Sequence, residues 1–425
     1  MKKQRSCSGP YCLLMIVIIL SCIPITHAKD FVNINSSMNY SVHNRVHVTN
    51  TYGSISKIII ILPLPQSNTY QDVIDLNIDS GDVLDIPETD DRYLRFVITE
   101  DLPVFGESRT YGYDFTITLH NITIDLDVPE ILYDYDTNTS LYQWYTGSSG
   151  NIVDPDNPDI LAIADPIWDG SPNVVYFAER CYEYVAENFE YLNPGVGLSP
   201  LSTVMANGGG DCGNLSSIFV SLLRCKGIPA RHVVTMRPDG SHHVWAEFYL
   251  EKYGWVPVDV TYKMDRPDRN YFGYYDGNGI VFNSEVALQI DRGDGTIYDC
   301  PLLQTFLLWY WGNGGGSLNF THDLKGILTF VDNGTLNPEH TVLYPAFPNP
   351  FNPSTTISYN LNRDNFVSLD IFNTLGKRVG SIVNSYQSAD LYQLRWEPSD
   401  LPGGAYLIQL KAGDVIESQK VILIK

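Results

Sequence analysis

Residues 31–128 show the alternation of apolar and polar side chains that is typical of β-strands. Residues 56–64 are almost wholly apolar, residues 115–119 alternate one by one, and turn residues such as those at 80–82 separate the runs. Short alternating runs between turns predict strands. We therefore predict a β-sandwich over residues 29–130, without a cluster of His, Cys and acidic residues that would indicate chemistry.

Helical spacing first becomes clear after residue 172. The run 174–189 carries a stripe of apolar side chains: Val175, Phe177, Ala178, Tyr182, Val185 and Phe189. A second helical run begins after Asp211, a residue type that caps helix N-termini, and stops at Gly227 and Pro229. Cys212 therefore lies in the first turn of a predicted amphipathic helix.

Two alternating runs, 241–250 and 255–260, predict a β-hairpin. A three-residue loop pairs residue 243 with residue 259 or with residue 261. Asp259 then lies directly opposite His243 or one diagonal away, about 4.5–8 Å between Cβ atoms. Both side chains point to the same face of the hairpin.

The chain thus presents a thiol, an imidazole and a carboxylate in an order that suits nucleophilic acyl transfer. The helix N-terminus favours the thiolate of Cys212, and Asp259 fixes the tautomer of His243 and stabilises its protonated form. His242 points to the apolar face and is the poorer base. The glycines at 208–210 leave room for a substrate backbone. We predict Cys212, His243 and Asp259 as a catalytic triad.

The C-terminal part has a different pattern. Residues 344–353 carry four prolines, which exclude a helix. Short alternating runs and turns at 375–377 and 402–404 follow, and they predict a small antiparallel β-sandwich.

This C-terminal part resembles the type IX secretion sorting domain. The resemblance rests on FPNPFNP at 347–353, IFNTLG at 371–376, GAY at 404–406 and the basic end at Lys425. It implies a Gram-negative bacterium, contact with the type IX secretion machinery, export across the outer membrane and a domain that can be removed on arrival. An ordinary Ig-like adhesive module is the alternative.

The central part resembles the transglutaminase-like superfamily, through GDCG at 210–213, LRCKGIPAR at 223–231, HVWAE at 243–247 and YGWVPVD at 253–259. The likeness covers about residues 141–311. LPQ at 64–66 and YQ at 70–71 are also similar to what precedes such cores. The resemblance implies a papain-like fold and the family's Cys, His and Asp at the three triad positions.

The same resemblance leaves the acyl acceptor open, because relatives transfer a glutamine acyl group to an amine or hydrolyse peptide and amide bonds. We expect hydrolysis, with the backbone N–H of Cys212 as the oxyanion donor. Cys225 departs from the family pattern, where an apolar residue or alanine is expected, and it either pairs with Cys181 or packs as a thiol. The alternative function is a cell-surface binding protein with an inert core and adhesive β-domains.

The N-terminus resembles a secretory signal peptide over residues 1–28, with basic residues, an apolar run at 12–20 and a small residue, Ala28, before the cleavage point. Cys22 lies in a loose lipobox, which makes lipidation the alternative. Removal of this segment discards three of the seven cysteines. The others are Cys181, Cys212, Cys225 and Cys300. They form two disulfides, or a catalytic thiol with one pair and a singleton, or a catalytic thiol with three buried thiols.

The composition limits the classes of molecule that the chain can bind. With 27 Lys and Arg against 49 Asp and Glu, the net charge is −22, so phosphate backbones would be repelled and nucleic acid is excluded as a partner. We expect a protein or peptide substrate, no cofactor, no metal and no transmembrane segment. Three aspartates could ligate calcium, but no twelve-residue calcium loop surrounds them and a solvated loop is the preferred interpretation: Asp154, Asp156 and Asp159.

The predicted fold class is α+β, a papain-like, transglutaminase-like catalytic core between two β-domains. The predicted order is a signal peptide at 1–28, a β-sandwich at 29–130, the catalytic domain at 131–312, a linker with short β segments at 313–342 and an Ig-like β-sandwich sorting domain at 343–425.

Overall fold

The computed structural model describes most of the chain, namely residues 31–126, 134–168, 170, 173–192, 197–267, 269–329, 341–344, 346, 351–389, 391–398, 401–413 and 415–424. The predicted signal peptide at 1–28, with Cys22, lies outside the described residues. So do residues 330–340 of the predicted linker and residues 347–350 of the proline motif.

The described chain is mixed α and β, with strands before, within and after one helical region. The helices are α1 (Ser140–Thr146), α2 (Pro158–Ile167), α3 (Val174–Asn188), α4 (Leu201–Asn207), α5 (Cys212–Arg224) and α6 (Val260–Asp265). The strands up to the middle of the chain are β1 (Val32–Leu64), β2 (Gln71–Ile78), β3 (Asp82–Asp85), β4 (Arg92–Ile98), β5 (Ser108–Ile124), β6 (Glu190–Tyr191), β7 (Gly209–Gly210), β8 (Ala230–Met236), β9 (His242–Leu250) and β10 (Gly254–Val258). The later strands are β11 (Tyr274–Tyr275), β12 (Ile280–Asn283), β13 (Leu288–Asp291), β14 (Ile297–Cys300), β15 (Leu307–Thr329), β16 (Val342–Leu343), β17 (Thr355–Asn360), β18 (Asn365–Asn373), β19 (Arg378–Gln387), β20 (Leu391–Trp396), β21 (Gly404–Ala412) and β22 (Val415–Leu423).

The N-terminal strands form one seven-stranded sheet, which corrects the prediction of a two-sheet sandwich over residues 29–130. The order is β11-β5-β1-β4-β3, with β15 beside β1 and β2 beside β5. The long β1 is interrupted by register shifts between Asn50 and Lys57, so its first part pairs with β5 and its last part with β4. Bulges of this kind bend a strand, and one bent sheet therefore takes the place of the two sheets that were predicted.

Strand β15 corrects the predicted division of the chain. The catalytic domain was expected to end at residue 312 and a linker to follow, but residues 307–329 pair antiparallel with β1 over most of its length. The local pattern is weak here, because the strand crosses a glycine-rich stretch and the described buried apolar side chains are Leu318 and Leu324. Whether such a segment forms a strand depends on pairing with a partner strand far away in the chain.

Two helices precede residue 172, where helical spacing was expected to begin. Helix α2 starts at Pro158 behind Asn157, whose side-chain oxygen accepts hydrogen bonds from the N–H groups of Asp159 (3.0 Å) and Ile160 (3.4 Å). An Asn cap followed by proline is a recognisable helix start. The candidate calcium ligand Asp159 therefore belongs to a first helical turn, and the described residues contain no group of three or more His, Cys, Asp and Glu placed to hold a metal ion.

The central sheet, in the order β10-β9-β8-β12, packs against α5, which also contacts α3. Nearly all of α5 beyond Cys212 is buried, so the helix is held on all sides. The N-terminal sheet also packs against the central sheet. Met236 of β8 and Ile280 and Phe282 of β12 belong to the apolar cluster of the N-terminal sheet. Helix α5 and the hairpin of β9 and β10 share one apolar cluster.

Two polar side chains of the N-terminal region hold it to the central sheet. The amide of Gln71 donates to the carbonyl of Val281 (2.8 Å) and accepts from its N–H (2.7 Å). The hydroxyl of Tyr70 donates to the fully buried carboxylate of Glu247, which also accepts from Nε of Arg231 (2.6 Å). Tyr70 and Gln71 form the YQ motif, which the resemblance places before a transglutaminase-like core.

The Tyr70 contact predicts a stability effect. Tyr70→Phe keeps the ring but leaves one oxygen of a buried carboxylate without its donor, so we expect the free energy of unfolding to fall by about 2 kcal/mol. Urea unfolding measures this. Tyr176→Phe is the control, because Tyr176 is exposed and its change should stay within about 0.5 kcal/mol. Equal stability of the two variants would contradict the prediction.

The C-terminal region contains two sheets, β16-β17-β20 and β19-β18-β21-β22, which share one apolar core. Ile357 and Tyr359 come from the first sheet, and Leu369 and Ile408 from the second. Among the described residues no helix is long and apolar enough to cross a membrane.

Candidate active site

Cys212 is the first residue of α5, as the sequence predicts. One oxygen of Asp211 accepts hydrogen bonds from the backbone N–H of Asn214 (3.0 Å) and from its side-chain amide (2.7 Å). The side-chain oxygen of Asn214 in turn accepts from the N–H of Ser199 (2.9 Å). The start of the helix is therefore fixed from both sides, and it holds a half-buried free thiol at its positive end.

Two of the glycines before Cys212, Gly209 and Gly210, allow the chain itself to pack closely. A Cβ atom on Gly209 would lie 2.0 Å from the carbonyl oxygen of Glu190, and one on Gly210 would lie 2.5 Å from Cβ of Asn214. Only glycine lets strand β6 pass this close. The resulting pairing places Tyr191 beside Gly210.

Tyr191 is a neighbour of the thiol that the sequence analysis missed. Its side chain is more than half exposed, and burial together with the charges of Cys212 and Asp211 raises its pKa. No local motif marks it, because its position depends on the parallel pairing of β6 with β7.

His243 and Asp259 meet across the hairpin as predicted. Val258 pairs with Ala246, so the continued register would place residue 261 opposite His243 and Asp259 one diagonal away. Of the two alternatives, the structure has the diagonal one. Nε2 of His243 and Oδ2 of Asp259 are 2.5 Å apart, and both residues are buried.

The side chain of Asp259 is held in place because it also caps a helix. It caps α6, and its Oδ1 accepts hydrogen bonds from the N–H of Tyr262 (2.9 Å) and the hydroxyl of Thr261 (2.8 Å). Its Oδ2 remains for His243. A carboxylate with both oxygens occupied in this way has little freedom to rotate, so it presents one orientation to the imidazole.

The charges of the site stabilise an imidazolium. Burial alone would lower the pKa of His243, but the charge and hydrogen bond of Asp259, together with interactions with Cys212, raise it to about 10. Burial would raise the pKa of Asp259, but His243 and the two donors at α6 hold it below its ordinary value. With Nε2 occupied by Asp259, Nδ1 is the ring nitrogen left for the thiol.

A layer of polar and aromatic groups lies behind His243 and was not predicted. The ring of Tyr262 stacks on the imidazole, and Arg237 contacts the hydroxyl of that tyrosine. Asp276 lines the same small cavity; burial and the nearby charge of Asp259 raise its pKa to about 6. The side chain of Gln304 donates to the backbone carbonyl of His243 (3.1 Å).

The other three cysteines in the described part of the chain are free thiols. Burial raises the pKa of Cys181 well above its ordinary value, that of Cys225 to about 11 and that of Cys300 to about 12. The thiol of Cys225 donates to the carbonyl of Leu222 (3.1 Å). Thiols that are buried and protonated in this way are unreactive.

Two families match the chain. The transglutaminase-like superfamily matches residues 161–260, and the secretion system C-terminal sorting domain matches residues 345–425. The chain therefore contains a transglutaminase-like core and carries the C-terminal sorting domain of a type IX secretion system, as both resemblances predicted. The sorting domain indicates export to the outer membrane or cell surface through contact with the secretion machinery.

Individual relatives are distant. An uncharacterized protein of Haemophilus influenzae is 27% identical over a region that covers 28% of this chain and 44% of that protein, so the chain spans less than half the length of this curated relative. A candidate cysteine protease of Cytophaga hutchinsonii is 15% identical over 71% of this chain and 94% of its own, with a TM-score of 0.46. A candidate protease of Parabacteroides distasonis is 8% identical over 60% of this chain and 48% of its own, with a TM-score of 0.24.

Proposed function

We propose that this protein is a secreted, cysteine-dependent hydrolase or acyl transferase that acts on peptide or amide bonds of proteins through Cys212, His243 and Asp259. One observation carries the proposal. A thiol at the start of a buried helix interacts with an imidazole whose Nε2 lies 2.5 Å from a buried carboxylate. This arrangement suits nucleophilic catalysis by cysteine.

The first step is attack by the thiolate of Cys212 on the carbonyl carbon of the substrate. The carbonyl oxygen becomes an oxyanion, and the backbone N–H of Cys212 is placed to donate to it, because the first N–H groups of a helix have no partner within the helix. Imidazolium His243 then gives its Nδ1 proton to the leaving amine, and the carbon–nitrogen bond breaks. A thioester on Cys212 remains.

The second step uses the same groups in reverse. Neutral His243 takes a proton from the acceptor, which attacks the thioester and releases Cys212 as thiolate. Asp259 stabilises the imidazolium in both steps. Water gives hydrolysis and an amine gives transfer; we place hydrolysis first. The export route in this proposal begins with a signal peptide cleaved after Ala28.

The test supplies the purified protein with casein and a fluorescent primary amine. New peptide ends without incorporated label indicate hydrolysis, and labelled casein indicates transfer. Iodoacetamide labelling is read in parallel, and one fast site at Cys212 is expected. Equal, slow labelling of all thiols, with casein unchanged, would overturn the enzymatic proposal and leave adhesive binding.

The pKa of His243 predicts how activity depends on pH. A base with a raised pKa keeps its proton to higher pH, so the imidazolium persists through neutral pH and activity should fall only as the pH approaches about 10. Asp259→Asn keeps the helix cap but removes the main charge that raises this pKa. We expect the alkaline fall in kcat/KM to move to lower pH. An unchanged profile in Asp259→Asn would contradict this.

A further inference from the structure

We infer that Tyr262 is a positioning residue that holds the imidazole of His243 in the orientation required for reaction with Cys212. This inference rests on the proposed function. The evidence is the placement of the tyrosine ring on the imidazole and the contacts that hold the ring there.

The ring of Tyr262 lies flat on the imidazole. The ring centroids are 4.7 Å apart and the planes differ by 14°. A ring in this position covers one face of His243, and it keeps water away from the short bond between Nε2 and Asp259. Since hydrogen bonds and ion pairs are stronger where water is excluded, the cover strengthens the contact that orients the imidazole.

Both ends of Tyr262 are held. Its backbone N–H donates to Oδ1 of Asp259 (2.9 Å), and its hydroxyl accepts from Arg237 and from Nδ2 of Asn278 (3.3 Å). The ring of Tyr271 packs edge-on against it at 5.1 Å. A ring fixed at its backbone, its hydroxyl and its side has no room to swing away from the imidazole.

One local motif therefore builds the whole support. Asp259 caps α6, and the residue three positions on, Tyr262, supplies the capping N–H and the stacked ring. The cap thus sets the carboxylate and the tyrosine relative to each other, and the imidazole lies between the two. Rotation of His243 about its side-chain bonds would break the bond to Asp259 and collide with the tyrosine ring.

Charged side chains surround the stacked rings of Tyr262 and His243. Arg237 and Arg266 lie 5.7 Å and 5.5 Å from the ring centroid of Tyr262, and Asp276 lines the cavity behind it. The charges facing His243 itself come from Asp259, Cys212 and Asp276. Uncovering the imidazole lets water weaken its pairing with Asp259, so the imidazolium of His243 should lose its proton at lower pH.

The test compares Tyr262→Phe, which keeps the stacked ring, with Tyr262→Leu, which removes it. For Tyr262→Phe we expect kcat within about threefold of the unchanged protein. For Tyr262→Leu we expect kcat to fall about tenfold or more while KM stays unchanged, because misplaced reacting groups lower the rate of chemistry. The alkaline fall in kcat/KM should also move to lower pH, because the uncovered imidazolium is held less strongly by Asp259.

The matched control is Phe248→Leu. Phe248 lies on the same strand as His243, is fully buried and stacks on Phe272 at 5.5 Å, so its loss removes an equivalent contact but leaves the imidazole covered. This variant should lose stability and keep its pH profile. If Tyr262→Leu does not fold, Tyr262→Met takes its place, because it fills more of the space without offering a ring.

A folded Tyr262→Leu or Tyr262→Met with unchanged kcat and an unchanged pH profile of kcat/KM would overturn the inference. The same shift in Phe248→Leu would overturn it as well, since the effect would then belong to packing in general. Absence of a fast Cys212 site in the unchanged protein would instead defeat the proposed function, so the two failures are distinguishable.

Discussion

Replacing Cys212 with alanine should abolish turnover of casein, with a loss on the order of 10⁴-fold or more. Without the thiolate no thioester forms, and neither hydrolysis nor transfer to an amine has a route. The fold should survive, because the side chain is half-buried and the helix start depends on Asp211 and Asn214. Casein cleavage and amine incorporation measure the loss, and urea unfolding measures the fold.

The chain offers a matched control for this substitution. Cys225 is also a half-buried free thiol at an end of α5, but it lies at the opposite end from the triad. Cys225→Ala should keep its activity within about twofold, as expected for a change outside the reacting groups. Residual activity of a tenth or more in Cys212→Ala would reject the assignment of the nucleophile.

His243→Ala should have the next largest effect. General acid–base catalysis by a positioned side chain contributes about 10²–10⁴-fold, and this variant removes the group that protonates the leaving amine. It also removes the positive partner of the thiolate, so iodoacetamide labelling of Cys212 at neutral pH should slow by about tenfold or more. Both rates are measured on the same preparation.

His242→Ala is the control for the histidine. His242 is the preceding residue on β9 and is exposed, whereas His243 is buried against Asp259 and Tyr262. The control should label at the normal rate. Equal labelling rates in the two histidine variants would show that the reactivity of Cys212 does not depend on His243.

Much of the candidate site could be predicted because its parts are local. The cap at Asp211 and the start of α5 depend on residues three positions apart. The approach of His243 and Asp259 depends on a hairpin with a three-residue loop, and loop length sets the register of a hairpin. The sequence left two pairings of Asp259 with His243 open, and the structure has the diagonal one; the capping of α6 by Asp259 was not predicted.

The groups around the triad were not predictable in this way. Tyr262 is only three residues from Asp259, yet its position on His243 also depends on Arg237 and Asn278, which lie in loops outside α6. Tyr191 reaches the thiol only because Gly209 lets a separate strand approach. Neither residue stands in a pattern that local spacing would single out.

The sequence by itself determined many of the strands, helices α3 and α5, the order thiol, imidazole, carboxylate, and the likeness to a transglutaminase-like core with a sorting domain. These follow from side-chain periodicity, caps and short loops, where the interacting residues are near one another in the chain. Only the tertiary structure decided that β15 belongs to the N-terminal sheet, that the missing Cβ atom of Gly209 allows β6 to pair closely with β7, and that Tyr262 covers the imidazole. Each of these depends on a partner distant in sequence, and the backbone pairing and close packing that select such a partner leave no periodic signal in either segment alone.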